Sequence, residues 1–188
     1  MNSNGALGKI LQTFERYYNI STQNVAAPFV AEATFSSHNE QYFLVKAAKV
    51  ADIDSNEYVF FYSDGSCIED LRPAAGEGGS CQVEEPHEKK EMLSPERIDE
   101  ISRIAWERGL SKIKPYYGHR NTDVTLVILS DRIAEESFRK IKKLNHYKSY
   151  KFGLYGWSSF RALAYETSTG RAVTNRRGSD LKKLVGSL

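Results

Sequence analysis

Apolar residues at helical spacing predict the helices of the N-terminal two thirds of this chain. The first stripe covers residues 6–18 and is typical of a helix that lies on a sheet. It consists of Leu7, Ile10, Leu11, Phe14 and Tyr18. A second helix is predicted over residues 93–110, because Ser94 can cap its start, Pro95 suits its first turn and Gly109 can end it. Its expected buried stripe is Ile98, Ile101, Ile104 and Ala105.

Two further helices are predicted in the C-terminal part. Asp131 is the expected N-cap of the first, and its apolar face carries Ile133, Ser137, Ile141 and Leu144. The second is a short helix that begins at Ser179 and buries Leu181, Leu184 and Val185.

Runs rich in β-branched and aromatic residues predict an antiparallel three-stranded meander in the N-terminal half. The strands are expected at residues 28–37, 40–51 and 57–63, with turns at 38–39 and 52–56. The second turn, DIDSN, resembles the start of a calcium-binding loop, which needs glycine at its sixth position and glutamate at its twelfth. Glu57 and Ser63 occupy those positions, so a turn held by its own side chains is the prediction.

The C-terminal half contains three more predicted strands. Residues 123–130, DVTLVILS, are an unbroken apolar run and predict a buried strand. Residues 150–157, YKFGLYGW, are expected to form the next strand, with Tyr150, Phe152 and Leu154 facing the core. The two strands and the helix between them form a strand–helix–strand unit, which favours parallel pairing. Residues 159–175 predict a hairpin around the turn TSTG. The fold class is therefore α+β, a mixed sheet flanked by helices.

Residues 64–92 interrupt these patterns. The segment is rich in glycine and acidic residues, and 29 residues without periodicity make a long connection for a compact domain. We expect a single globular domain over residues 1–188 with a flexible acidic loop at 64–92. This loop contains both cysteines, Cys67 and Cys81, and His87. A fourth zinc ligand is missing, so we predict free thiols and no metal or other cofactor.

Composition indicates a globular protein. Of the 188 residues, 40% are hydrophobic and 12% are aromatic, which argues against disorder over most of the chain. No apolar run approaches the roughly 20 residues that span a bilayer. The N-terminus lacks the charged and apolar regions of a signal peptide. A cytoplasmic protein without a membrane partner is the expectation.

Charge is distributed unevenly along the chain. Residues 1–110 contain 10 Lys and Arg against 18 Asp and Glu, whereas residues 111–188 contain 16 against 6. Such asymmetry can mark a half that binds a polyanion. In the alternative, the two halves face each other in one fold, so that acidic and basic side chains compensate.

Basic residues near aromatic ones suggest where a polyanion could bind. Between residues 142 and 151, lysines alternate with tyrosines, a pattern that suits a nucleic-acid strand because cations meet phosphates and rings stack on bases. Arg176 and Arg177 precede the last predicted helix, whose first amides can hold a phosphate. A plain polar turn is the alternative there, since Asp180 already complements the helix dipole. The polyanion-binding candidates are Lys142, Lys143, Lys148, Lys151, Arg161, Arg171, Arg176 and Arg177.

Catalytic chemistry is weakly indicated. His119 is a candidate general base that Asp123 could orient, but no nucleophile is paired with it, and a structural histidine is the preferred interpretation. The sequence contains no motif of a serine hydrolase, a zinc protease, a P-loop or a dinucleotide-binding turn.

Several runs resemble an uncharacterised family of microbial domains of unknown function. They are QYFLVKAAKVADIDSNEYVFF, DVTLVILSDRI and KSYKFGLYGWSSFRALAYE, and the resemblance covers most of the chain outside residues 64–92. It implies no activity. The predicted order α-β-β-β-α-β is also similar to the core of PD-(D/E)XK nucleases, which use an Asp and a Glu-x-Lys pair. Here the strand at 57–63 has no lysine, and Lys46 and Lys49 lack the acidic partner, which favours an inactive relative over an active nuclease.

Three functions remain open at this point. The first is a non-catalytic accessory protein that binds nucleic acid or another polyanion through the basic C-terminal half. The second is a protein-interaction or self-association module that acts through the acidic loop at 64–92. The third is an enzyme around His119 or a degenerate nuclease site.

Overall fold

The computed structural model describes residues 3–23, 25–42, 49–64, 92–117 and 119–186, without the side chains at 4, 37–42 and 49–54. Within these ranges, helices cover both faces of a seven-stranded mixed sheet, which confirms the α+β fold class. The helices are α1 (Ser3–Phe14), α2 (Pro95–Ser111), α3 (Glu135–Lys143) and α4 (Lys182–Val185). The strands are β1 (Asn19–Ser21), β2 (Ala31–Tyr42), β3 (Lys49–Ser63), β4 (His119–Ser130), β5 (Tyr147–Ser149), β6 (Trp157–Glu166) and β7 (Arg171–Thr174). Short 3-10 helices occupy Lys151–Gly153 and Arg176–Leu181.

The first three strands form an antiparallel meander, as predicted, but largely from other residues. Strand β1 was not predicted, and the described parts of the strands predicted at 28–37, 40–51 and 57–63 correspond to only two strands, β2 and β3. Strand β1 pairs with β2, and β2 pairs with β3 along one long hairpin. The turns predicted at 38–39 and 52–56 are wrong, because both segments lie inside strands and His38 is the cross-strand partner of Asp54. Their polar residues favour turns locally, yet here each polar stretch satisfies its backbone by pairing with the other.

The centre of the sheet is parallel. Strand β4 pairs in parallel with β3 on one side and with β6 on the other. A strand–helix–strand unit is present as predicted, but its second strand is β6, which was predicted as the first strand of the hairpin, and not residues 150–157. Helix α2 makes a second such connection, between β3 and β4. Strands β5 and β7 both pair antiparallel with the far edge of β6. The edge of the sheet beside β6 is therefore made from two short strands.

Two apolar layers explain the unbroken apolar run of β4. Helices α2 and α3 cover one face of the sheet, where Ile101, Ile128, Ile141 and Phe160 are buried together. Helix α1 and residues of α4 cover the other face, where Leu7, Phe61, Val127 and Leu163 meet. A strand that is covered on both faces does not alternate between apolar and polar residues.

Helix α2 begins as predicted and ends later than predicted. The Oγ of Ser94 accepts a hydrogen bond from the backbone N–H of Arg97 at 3.3 Å, which confirms the N-cap. Gly109 does not end the helix, which continues to Ser111. A Cβ at Gly109 would lie 2.6 Å from Cγ2 of Val124, so this glycine permits the close approach of α2 to β4.

The apolar face predicted for α3 is confirmed, but its cap is not. Ile133, Ser137, Ile141 and Leu144 are all buried. The N-cap position is Ala134, which makes no side-chain capping bond. The carboxylate of Asp131 instead accepts hydrogen bonds from Ser3 and Thr167.

The strand predicted at residues 150–157 is wrong except for its last residue, Trp157. Residues 150–156 form a tight turn that contains a 3-10 helix, and β6 begins at Trp157. Phe152 and Leu154, expected in the core, are exposed. The positive φ angles of Gly153 and Gly156 are the physical reason, since they turn the chain out of the extended conformation.

Most of the predicted acidic loop, with Cys67, Cys81 and His87, lies outside the described residues. Within the described ranges, none of the helices combines the length and the apolar character needed to cross a membrane. The hairpin formed by β6 and β7 around residues 167–170 is confirmed.

Candidate polyanion-binding site

The C-terminal end of α3 and the 3-10 helix Arg176–Leu181 enclose a concave site, which we name the basic cleft. Its volume is about 570 Å³, and it is lined by Lys142, Lys143, Leu144, Asn145, Arg176 and Arg177. The two walls are far apart in sequence, and four of the predicted candidates line them together.

Helix α3 presents its two lysines because of how its other residues are used. Ser137, Phe138 and Ile141 are buried against the sheet, so the last turn directs Lys142 and Lys143 to solvent. Cations in the last turn of a helix also interact favourably with the helix dipole. The positive charge at this wall is therefore compatible with the stability of the helix.

Asn175 holds the two walls together. Its side chain is 2% exposed, and its Oδ1 accepts hydrogen bonds from the backbone N–H groups of Ala162 and Gly178, each at 2.9 Å. Its Nδ2 donates to the carbonyl oxygens of Leu144 at 3.0 Å and Phe160 at 2.9 Å. One buried amide thus joins the end of α3, strand β6 and the start of the 3-10 helix.

Asn175 was missed by the sequence analysis, although asparagine directly before a helix is a typical N-cap. Its hydrogen bond from Gly178 also changes the expected phosphate site at the start of the last helix. That amide is already bonded to Asn175. The cationic side chains, rather than free helix amides, are what the cleft offers an anion.

Among the residues that the structure describes, the four cations of the cleft form no ion pair. They are Lys142, Lys143, Arg176 and Arg177. The guanidinium of Arg177 lies 5.4 Å from the ring centre of Tyr147, which is half exposed. Their charge is therefore available to a ligand.

Arg161 is placed differently, inside a group that we name the Arg161 cluster: Tyr18, Glu57, Asp123, Arg161 and Asp180. Its Nη1 lies 3.0 Å from Glu57 and 3.8 Å from Asp123, and its Nη2 contacts Asp180. Burial lowers the pKa of Arg161, but the carboxylates of Glu57, Asp180 and Asp123 outweigh it and hold that pKa above its usual value. The charge of Arg161 is compensated within the fold.

The other candidate cations lie outside the basic cleft. Arg171 forms an ion pair with Glu135 at 2.6 Å, and its guanidinium lies 4.0 Å from the ring centre of Phe138. Lys148 and Lys151 are exposed on β5 and on the turn that follows it. The structure thus brings four of the eight candidates together, pairs two with carboxylates and leaves two in solvent nearby.

His119 is buried, with 4% of its surface exposed. Its Nδ1 donates to the carbonyl oxygen of Tyr155 at 2.9 Å, and its Nε2 lies 2.8 Å from Oγ1 of Thr122. Asp123 does not orient it, because that carboxylate accepts from Ser159 and faces Arg161. Both ring nitrogens are engaged, so this histidine positions the chain around Tyr155. Among the described residues, no group of three or more His, Cys, Asp or Glu could hold a metal ion.

Comparison with models of protein families assigns the chain to a family. A family model described as a domain of unknown function, DUF8052, matches residues 2–71 and 87–186. The chain belongs to the DUF8052 family. This confirms the resemblance to an uncharacterised family of domains of unknown function. No curated protein and no solved structure matches the chain, so the similarity to the nuclease core is not shown.

The uneven charge of this DUF8052 chain is resolved in two ways at once. Some cations of the basic half meet acids of the acidic half, as in the pairs Arg161–Glu57 and Lys140–Asp99. Glu32 in the acidic half accepts from Lys112 of the basic half and from Arg108 of its own half, each at 2.5 Å. In the basic cleft this compensation does not occur among the described residues.

Proposed function

We propose that this DUF8052 domain is a non-catalytic accessory protein that binds a polyanion, in the first place a nucleic acid, at the basic cleft. The observation that supports it is the convergence of four cations from two distant segments, none of which forms an ion pair with a described residue. A cytoplasmic location is part of the same proposal.

The chemistry of the cleft suits phosphate groups. Arginine binds phosphate through a planar fork of N–H donors, and lysine adds a compact charge, so Arg176 and Arg177 opposite Lys142 and Lys143 can neutralise neighbouring phosphates. A volume of about 570 Å³ is within the range of small-ligand sites. Concave shape and one sign of charge together attract a polyanion.

The other two functions have less support. Both nitrogens of His119 are engaged in hydrogen bonds, which does not favour a general base there. The acidic segment proposed for protein interaction or self-association lies largely outside the described residues, and this function stays an alternative.

Binding is tested by fluorescence anisotropy with labelled single-stranded and double-stranded oligonucleotides. If four cations each neutralise one phosphate of a single strand, log K should fall with log salt with a slope of about −3. Between about 50 and 200 mM salt the affinity then drops roughly 50-fold. Absence of binding at the lower salt concentration overturns the proposal.

Two matched variants separate the cleft from net charge. In the first, Arg176→Glu and Arg177→Glu reverse one wall of the cleft, and we expect the affinity to fall by at least about 10-fold. In the second, Arg103→Glu and Arg139→Glu make the same change in net charge at exposed positions of α2 and α3 outside the cleft. We expect the second variant to stay within about 3-fold of the wild type. Equal losses in both variants would assign binding to overall charge and contradict a specific cleft.

A further inference from the structure

Residues 150–156, which we name the tip, present apolar side chains to water. Phe152 is fully exposed, at 105% of its reference area, and Leu154 is 71% exposed. The tip follows β5 directly and precedes β6, at the edge of the sheet that leads back to the basic cleft. Large apolar side chains that are exposed together at one turn mark an interaction site more often than scattered ones do.

The backbone of the tip is strained. Lys151, Phe152 and Gly153 have φ angles of 47°, 56° and 91°, three positive values in succession. For a bulky residue such as Phe152 a positive φ is a genuine outlier, which costs conformational free energy. Strain of this kind persists where the surrounding structure enforces it, and it concentrates at functional sites.

Contacts within and below the tip enforce this conformation. The backbone N–H of Tyr150 donates to Gly156 at 3.0 Å, and the N–H of Gly153 donates to Tyr150 at 2.9 Å. A Cβ at Gly156 would lie 2.2 Å from the carbonyl oxygen of Arg120, so this glycine seats the tip against the start of β4. His119 adds its hydrogen bond to Tyr155. Phe152 is therefore held in water by a rigid support.

The surroundings of the tip are basic and aromatic. Lys148 and Lys151 are exposed on either side of Tyr150. All three residues of β5 are exposed, and Tyr147 at its start contacts Arg177 of the basic cleft. Rings and cations therefore follow one another along the chain at this sheet edge, from Tyr147 and Lys148, on opposite faces of β5, to Lys151 and Phe152.

We propose that this edge binds single-stranded nucleic acid, with Phe152 and Tyr147 as stacking platforms for unpaired bases. The inference rests on the proposed function and names its ligand class. Phosphates then contact the basic cleft, Lys148 and Lys151, while bases stack on the rings. A duplex keeps its bases stacked inside and offers these rings no partner. Rings and cations that follow one another beside a concave cleft fit a flexible chain of phosphates better than the flat surface of a bilayer.

The test is Phe152→Ala in the same anisotropy assay, with a labelled pyrimidine single strand and a duplex of equal length. We expect single-strand affinity to fall on the order of 10-fold, which is typical for loss of one stacked base. Duplex affinity should change less than about 2-fold, and Phe152→Trp should retain single-strand binding. Tyr17→Ala is the control, because Tyr17 is 73% exposed and lies outside this edge.

The outcomes separate the two proposals. If Phe152→Ala binds the single strand like the wild type while the Arg176/Arg177 reversal loses binding, the cleft stands and the tip inference fails. If no oligonucleotide binds, the proposed function fails with it. Sedimentation with vesicles that contain anionic lipid is the third arm. A membrane surface would be the ligand, and the inference would be overturned, if three results coincide. The wild-type protein binds these vesicles, the Phe152→Ala variant does not bind them, and the wild-type protein does not bind the single strand.

Discussion

The Arg161 cluster and the basic cleft are neighbours that use similar residues in opposite ways. The cluster compensates its charge within the fold, whereas the cleft keeps its charge available to a ligand. One cavity of about 470 Å³ is lined by residues from both, Arg161 and Arg177 among them. The 3-10 helix that carries Arg176 and Arg177 also carries Asp180, which contacts Arg161. In the cluster, β3 and β4 contribute Glu57 and Asp123, whereas the cleft receives no carboxylate from the described residues. The two sites therefore differ in whether strands distant in sequence supply carboxylates to the cations.

The two sites should therefore contribute differently to stability and to binding. Removal of one partner of a largely buried ion pair is strongly destabilising, because the other partner is left as an uncompensated buried charge. Exposed cations contribute little to folding, and their charge remains available to a ligand. The comparison predicts that variants of the cluster lose stability and variants of the cleft lose binding.

The largest effect is expected for Arg161→Met. The side chains of Arg161 and Glu57 are each 13% exposed, so the variant leaves Glu57 without its cation in a poorly solvated site. We expect the free energy of unfolding to fall by about 3–5 kcal/mol, measured by urea denaturation. Arg177→Met is the matched control and should change it by less than about 0.5 kcal/mol. Equal effects of the two substitutions would remove the distinction between cluster and cleft.

Asn175→Ala should have the next largest effect, since it strikes the link between the two sites. Four buried backbone groups lose their side-chain partner, and the expected loss of stability is about 2–4 kcal/mol. Oligonucleotide affinity should fall as well, because the walls of the cleft are no longer joined. Asn145→Ala, at an exposed cleft position, is the control for stability. An Asn175 variant as stable as that control would show that the amide does not hold the walls.

Phe152→Gly should separate stability from binding in the opposite direction. Glycine adopts a positive φ without steric cost, so we expect the free energy of unfolding to stay equal or rise by up to about 1 kcal/mol. The same variant removes the ring and should lose single-strand affinity. Differential scanning calorimetry and anisotropy measure the two quantities on one sample. A clear loss of stability would mean that the ring supports the fold, contrary to its full exposure.

The smallest effect concerns His146 beside the cleft, whose buried Nε2 has no hydrogen-bond partner among the described residues. Burial lowers the pKa of His146, with Asp99 acting in the opposite sense, and its ring stacks on Trp106. The unfolded chain then binds more protons near its ordinary pKa of about 6.5, so stability falls as the pH drops through this value toward the lowered pKa of the folded state. His146→Phe should flatten that decline. The urea midpoints of the wild type and the variant are measured at about pH 7.5 and 5.5. An equal decrease of the midpoint in both proteins would contradict this prediction.

Local patterns in the sequence determined most of the elements of this protein. The apolar stripe of α2 with its cap at Ser94, the buried face of α3 and the unbroken run of β4 were all predictable. Each depends on residues within a few turns or a few strand positions of one another. Periodicity reports burial directly at this range, and the mixed sheet follows from the order of the elements.

Tertiary structure alone decided the site. The charge of Arg161 is compensated by Glu57 and Asp123, which lie on β3 and β4, far from Arg161 in the sequence. Arg177 forms no such ion pair with a described residue, and the local sequence does not show this difference. The role of Asn175 depends on backbone groups up to 31 residues away. Phe152 occupies an alternate position with Tyr150 and Leu154, a pattern that predicts a core residue. Nearby glycines and the close approach of Gly156 to the start of β4 instead place it in solvent. Composition counts charges and rings, but the fold determines which of them are paired, buried or exposed.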